Sequence, residues 1–337
     1  MVKRLGRYTI KFESLPGILG FAAVGGKMEQ EGPIGKHLNQ CYADSFAGED
    51  SWEKAESKLQ TDCVNLALKK CELEAKDIDV IFSGDLLNQC IASIFGLRSL
   101  GIPFMGQYGA CSTMAQALLS AGIFVESGAA GNAAAVSSSH FCAAERQYRT
   151  PLEYGGQRSP TNQRTVTGAG AVIVGSAKGS PYISAAEIGR IIDLQITDVN
   201  NMGAAMAPAA AETIQCFLQD TGAKPSDFDM ILTGDLGFVG SELLDKLLKR
   251  EGIDISGVHN DAGMMIFDRE AQDVHAGGSG CGCSAAVLCS YILKRLSQGE
   301  IKRLLFVGTG ALMSPTSSAQ KESIPGIAHA VELIANA

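Results

Sequence analysis

Two stretches of this chain repeat one another at a constant spacing of 150 residues. Residues 77–87 read Asp-Ile-Asp-Val-Ile-Phe-Ser-Gly-Asp-Leu-Leu, and residues 227–237 read Asp-Phe-Asp-Met-Ile-Leu-Thr-Gly-Asp-Leu-Gly. Asp77/Asp227, Asp79/Asp229, Ile81/Ile231, Gly84/Gly234, Asp85/Asp235 and Leu86/Leu236 are identical. The spacing is too long for a solenoid repeat and suits a duplicated α/β half. The similarity extends upstream, where Val64, Leu66, Ala67 and Leu68 face Ile214, Cys216, Phe217 and Leu218 in helical patterns that lead into an apolar strand. Downstream, each half has a Gly-rich turn into a small-residue helix, 109–118 and 280–288. An apolar strand then follows, Asn132–Ser137 or Arg303–Gly308. The chain is therefore expected to fold as two similar halves, 1–179 and 180–337, divided near Gly179, with a pocket where they meet.

Bulk composition narrows the function. Hydrophobic residues make up 46% of the 337, enough for a large core, while aromatics are only 6% and Gly and Ala are abundant. Small side chains allow layers to approach closely. A net charge of −8 without a dense Lys/Arg stripe argues against nucleic-acid binding. No apolar run reaches the roughly 20 residues that span a bilayer, and the N-terminus carries no signal-peptide pattern. The ten cysteines include no C-x-x-C pair, and Cys281-Gly-Cys283 lacks zinc-ribbon partners. Reduced thiols and no metal site are expected.

The pattern along the chain predicts opening strands at Tyr8–Phe12 and Ile18–Val24, then a polar insertion from Gly25 to Ser51 that the second half lacks. Helix 52–71, strand 78–84 and helix 86–99 follow, with buried strands at 132–137 and 168–175. Residues 145–165 form an irregular excursion that carries Arg146, Arg149, Arg158 and Arg164. The second half predicts strand 182–188, helix 205–219, strand 228–233, helices 241–250 and 283–296, strand 303–307 and a short final helix within Ile324–Ala337. Strands alternating with helices imply parallel connections covered by helices. G-x-G-x-x-G, P-loop and G-x-S-x-G signatures are absent.

Cys111 follows Gly109-Ala110 at the start of a Ser/Thr/Ala-rich helix. The positive end of a helix dipole and its unpaired N–H groups stabilise a thiolate, which is where a nucleophilic Cys belongs. A small buried hydrophobe is the alternative. Gly109-Ala110-Cys111-Ser112, the strand 132–137 and Gly168-Ala169-Gly170-Ala171-Val172 resemble the thiolase and β-ketoacyl synthase superfamily. The resemblance covers nearly the whole chain. It implies a duplicated αβαβα five-layer α/β fold with Cys111 on the active-site turn, and a homodimer.

The same resemblance argues against condensation. Such enzymes also need a His after a second-half strand, and a His or Asn in the later Gly-rich turn. This chain has Thr233-Gly234-Asp235 at the first place and Gly282-Cys283-Ser284-Ala285-Ala286 at the second. His259 or His275 is left as a rearranged base or a packing residue.

Longer motifs narrow the match. Gln107-Tyr108-Gly109-Ala110-Cys111-Ser112-Thr113, Ser138-Ser139-His140, and the run from Ala143 through Arg149 resemble the stage V sporulation protein AD family. So do Glu153-Tyr154-Gly155-Gly156-Gln157 and Thr165-Val166-Thr167-Gly168-Ala169-Gly170. The resemblance implies a non-catalytic protein that binds dipicolinic acid or its calcium chelate and supports its uptake into the developing endospore. It implies no cofactor, and partners among the other stage V sporulation A proteins of the spore inner membrane. It places the chain peripherally on the cytoplasmic side of that membrane. Cys111 is carried over from the family motif.

Other ligand-binding candidates come from residue chemistry. Ser112, Ser137 and Ser138 supply hydroxyls, and Asn132 an amide that serves equally well at a strand edge. Arg146 and Arg149 supply guanidinium groups for carboxylates, or belong to a solvated or dimer-interface loop. The competing function is a Cys111-dependent acyltransferase or condensing enzyme acting on acyl thioesters.

Overall fold

The computed structural model describes residues 2–148, 158–176 and 179–336. The first set of elements is β1 (Val2–Leu5), β2 (Thr9–Phe12), β3 (Gly17–Gly25), α1 (Lys27–Gln30), β4 (Gln40–Cys41), α2 (Trp52–Lys70) and β5 (Val80–Gly84). It continues with α3 (Ile91–Leu97), β6 (Phe104–Gly106), α4 (Thr113–Glu126), β7 (Asn132–Ser139), α5 (Phe141–Tyr148), β8 (Arg164–Thr165) and β9 (Gly168–Gly175). The second set is β10 (Tyr182–Glu187), α6 (Met202–Thr221), β11 (Met230–Thr233), α7 (Gly237–Arg250), β12 (His259–Asp261), α8 (Ala262–Met265) and β13 (Gly278–Ser279). After these, α9 (Cys281–Val287) passes through one π-helical turn into α10 (Leu293–Ser297). The chain ends with β14 (Arg303–Ala311), α11 (Pro315–Ala319) and β15 (Gly326–Ile334).

The strand order makes the duplication visible. From the middle outward, one side runs β3-β9-β7-β5-β6 and the other β10-β15-β14-β11-β12. Senses match as well: β5 is parallel to β6 and β7, as β11 is to β12 and β14, while β9 and β15 run antiparallel to both neighbours. The expectation of purely parallel connections thus holds only for the outer strands. β3 meets β10 at one residue pair, Gly17 and Tyr182, so the two sheets fold over one another. α4 fills the space between, packing on β5 and β7 on one side and β14 and β15 on the other. α2 and α3 cover the first sheet and α6 and α7 the second, which completes the five layers.

Residue chemistry explains why the halves match. Asp77 and Asp227 each accept the backbone N–H three residues earlier, at 2.8 Å, and cap the turn into the strand. Asp79 accepts from Gly131 and Asn132, and Asp229 from Lys302 and Arg303, tying each strand to the start of its parallel neighbour. The middle layer packs closely because α4 buries Ala115, Ala117, Ala121 and Gly122 between its larger Met114, Leu118 and Leu119. Gly170 shows how tight it is: a Cβ there would lie 2.4 Å from the Ala285 carbonyl oxygen.

The expected final helix within 324–337 is instead β15, hydrogen-bonded between β14 and β10. Its residues are nearly all buried, and the central position in the sheet outweighs the helical tendency of Ala, Leu and Glu. β6, α5 and β12 were not anticipated; each is short, and the sheet or the pocket wall stabilises it more than its own pattern does. No helix of the described residues is long and apolar enough to cross a membrane.

Candidate functional site

The repeated Gly-Asp at the ends of β5 and β11 serves two different purposes. In the first half Asp85 closes its own turn, accepting from Leu87 N at 2.9 Å, Ser93 N at 2.8 Å and Ser93 Oγ at 2.6 Å. In the second half Asp261, from β12, does that work, accepting from Leu236 N and Gly237 N at 2.9 Å and from Thr233 Oγ1 at 2.7 Å. Asp235 is thereby released to face the other half. It accepts from Gly280 N at 2.7 Å and Thr309 Oγ1 at 2.9 Å, and hydrogen-bonds the Cys111 thiol. Burial pushes its carboxyl up to about 7, with the Gly280 amide and the Cys111 thiol opposing the rise.

The Cys111 turn is held rigidly. Ala110 adopts φ +48°, a left-handed conformation that costs a non-Gly residue energy and often marks a functional turn. Ser112 Oγ donates to Gly109 O and Thr113 Oγ1 to Ala110 O, both at 2.7 Å. From β14, Gly310 lies so close that a Cβ would come within 2.4 Å of Gly109 O. Cys111 therefore precedes α4 by two residues, with Ser112 at the N-cap.

Cys111 opens onto a pocket of about 40 Å³ walled by Leu86, Ala144, Met202, Ala311 and Met313. Its polar lining is Tyr108, Tyr148, Glu145, Thr165 and Ser279, and among the described residues no Lys or Arg takes part. Tyr148 donates to the Leu86 carbonyl and bonds Tyr108; burial raises both phenols. Glu145 is buried and accepts from Thr165 Oγ1 at 2.9 Å, with Arg158 3.9 Å away.

Of the site residues expected from sequence, Cys111 alone lines this pocket among the described residues. Ser112 is used within its turn. Ser137 donates to Cys281 O at 3.1 Å, and Ser138 joins a buried network with Glu56 and Gln60. Asn132 sits at the far end of β7 and donates to Asp77 O at 3.0 Å. Arg146 pairs with Glu53 over the Trp52 ring. Arg149 lies outside the described residues.

His259 is not part of the Cys111 pocket lining. It contacts Thr233 Oγ1 at 2.9 Å on the opposite side of β11, and burial lowers it to about 4. His275, 3.4 Å from Asp273, is not part of the lining. Asp235, Tyr108, Tyr148 and Glu145 escaped the sequence argument. Tyr108, Glu145 and Tyr148 stood only as members of longer motifs, and Asp235 as a repeat of Asp85 at the place of an expected His, which reads as structural. Among the described residues no group of three or more His, Cys, Asp or Glu is arranged to hold a metal.

Comparison with known proteins supplies the family. The family model for stage V sporulation protein AD matches residues 6–334. Stage V sporulation protein AD of Bacillus subtilis (strain 168) is 44% identical over 330 residues, covering 98% of this chain and 97% of that protein. Among solved structures, a Xanthomonas campestris OleA variant superposes with a TM-score of 0.61 at 15% identity, covering 96% of this chain and 99% of that one. The 3-oxoacyl-[acyl-carrier-protein] synthase III of Aquifex aeolicus VF5 superposes with a TM-score of 0.56 at 15% identity, over 95% of this chain and 99% of that one. At such identity these two share the fold, and their chemistry does not transfer.

Proposed function

This chain belongs to the stage V sporulation protein AD family, and from that premise we propose that it binds dipicolinate in the Cys111 pocket and supports its loading into the developing spore. The observation that carries the reading is the pocket's character: a largely apolar slot at Cys111, with Asp235 hydrogen-bonded to the thiol at the position where the superfamily resemblance leads one to expect a histidine. Leu86, Ala144 and Met313 offer flat apolar contact for a pyridine ring.

Charge favours the calcium chelate over the free dianion. Glu145 lines the pocket, so a bare ligand carboxylate would meet like charge there. A chelate of one dianion and one divalent cation is neutral and escapes that repulsion. A pocket of about 40 Å³ is smaller than the roughly 150 Å³ that accommodates benzene. Entry therefore requires a lining side chain such as Tyr148 or Met202 to move.

The test is calorimetric titration with dipicolinate, with and without calcium, on wild type, Cys111→Ala and Ala144→Phe. Saturable binding that is tighter with calcium and lost in Ala144→Phe is the expected result. Binding that Ala144→Phe leaves intact would remove the ligand from this pocket. The same reading includes a homodimer, partners among the stage V sporulation A membrane proteins, and peripheral attachment at the spore inner membrane. It assigns no resident cofactor and no catalysis.

One observation favours a second reading, the Cys111-dependent acyltransferase. Asp235 is positioned to accept the Cys111 proton as the thiol attacks an acyl thioester, and to return it to the departing thiol. Mass-spectrometric detection of acyl-Cys111 after incubation with acetyl-CoA, lost in Asp235→Asn, would establish it.

A further inference from the structure

A second pocket, of about 200 Å³, lies on the other side of the wall that closes the Cys111 site. The wall consists of α5, which turns different faces to the two pockets, and β8, whose two residues face opposite ways. Ala144, Glu145, Tyr148 and Thr165 line the Cys111 pocket, whereas Phe141, Cys142 and Arg164 line the outer one. Arg164 is half-buried and stacks on Phe141, with its guanidinium 3.9 Å from the ring centroid. Arg158 approaches the same ring at 5.2 Å, and its charge opposes that of Arg164. Among the described residues the Arg164 guanidinium makes no hydrogen bond and has no carboxylate within salt-bridge distance. Its backbone, by contrast, is fixed by Gly277 O at 2.9 Å and by the pairing of β8 with β13.

Glu29 and Glu145 favour the Arg164 charge from a distance, but a half-desolvated guanidinium with no directly bonded carboxylate is costly, and a cation–π contact offsets only part of that. The two carboxyls at this pocket are already engaged. Asp44 accepts from Phe46 N and Ala47 N, and Glu29 accepts from Thr167 N at 2.9 Å. Burial also pushes Glu29 up to about 7, which weakens it as a counter-charge near neutral pH. Lys27 adds a second, exposed cation at the rim.

We propose that this outer pocket is a binding site for a small carboxylate, gripped by the Arg164 guanidinium with Lys27 assisting. The planar guanidinium presents two parallel N–H donors to a carboxylate. Met28, Ala43 and the edge of Phe141 suit the hydrocarbon or aromatic part of such a ligand better than a bare inorganic anion. The volume exceeds the roughly 150 Å³ that holds a benzene ring. The site is independent of dipicolinate binding at Cys111.

Cys142 lines the same pocket and supplies the reporter. The experiment measures alkylation of Cys142 by iodoacetate and by iodoacetamide, each relative to Cys216 on α6, by peptide mass spectrometry. It uses wild type, Arg164→Gln and Lys27→Ala, with and without benzoate or inorganic phosphate. Iodoacetate carries the carboxylate and iodoacetamide does not. In wild type the normalised preference for iodoacetate should exceed that of Arg164→Gln by about tenfold, the equivalent of one charge-assisted hydrogen bond. Lys27→Ala should lower it less, and benzoate should protect Cys142 in wild type. Equal preference in wild type and Arg164→Gln, or protection by phosphate without protection by benzoate, overturns the proposal. Should Arg164→Gln fail to fold, Lys27→Ala and benzoate protection decide: no protection sinks it. Cys111→Ala must leave benzoate protection unchanged, which separates this site from the other pocket.

Discussion

At the residue scale, Asp235 differs most from what its position in the repeat suggests. Its partner Asp85 closes a turn, whereas Asp235 faces Cys111 across the junction of the halves. Burial raises its carboxyl from 3.8 to about 7. The folded protein therefore holds a proton there that the unfolded chain releases, and stability falls as pH rises from about 4 to 7. Asp235→Asn removes this slope. Urea unfolding at pH 5 and pH 8 should show the variant gaining on wild type by on the order of 1–4 kcal/mol between the two. A constant difference would mean that Asp235 is ionised throughout. Cys111 was legible as the residue of interest because Gly-Ala-Cys-Ser at a helix start has a local physical meaning. Its partner was not, because Asp235 is 124 residues away in the chain and only folding brings them together.

At the element scale, the site depends on how closely β14 approaches the turn before α4. A Cβ on Gly308 would come within 2.6 Å of Ala115 Cβ, and one on Gly310 within 2.4 Å of Gly109 O. Gly310→Ala should destabilise the protein by about 1–3 kcal/mol through overpacking. It should also change the alkylation rate of Cys111, while a change confined to melting temperature would mean that the turn tolerates displacement. Helices and strands with strong periodicity were readable: α2, α6, β5, β7 and β11 all lie where the pattern placed them, within a few residues. β15 was not, since Ala-His-Ala-Val-Glu-Leu suits either state until neighbouring strands claim its backbone. The outer pocket depends on another short element, β8, whose alternation sends Thr165 one way and Arg164 the other.

At the scale of the whole molecule, the ten-strand path ends at β6, an edge strand with Phe104 and Met105 exposed. An unpaired apolar edge recruits another strand, and a second copy paired there would cover Tyr108, which is 47% exposed yet lines the Cys111 pocket. Light scattering should report a dimer for wild type and a monomer for Met105→Lys; a wild-type monomer would remove the homodimer from the proposed function. The sequence by itself determined the duplication, the α/β class, the layered small-residue packing and the Cys111 turn, because each is written in local periodicity or in a repeat within one chain. Tertiary structure alone decided that Asp235 meets Cys111, that Ser137, Ser138 and Asn132 serve the framework, and that Arg164 faces a separate pocket. Those outcomes depend on which elements pack against which. Side-chain direction at an interface is set by neighbours from distant parts of the chain, and residue type alone does not encode it.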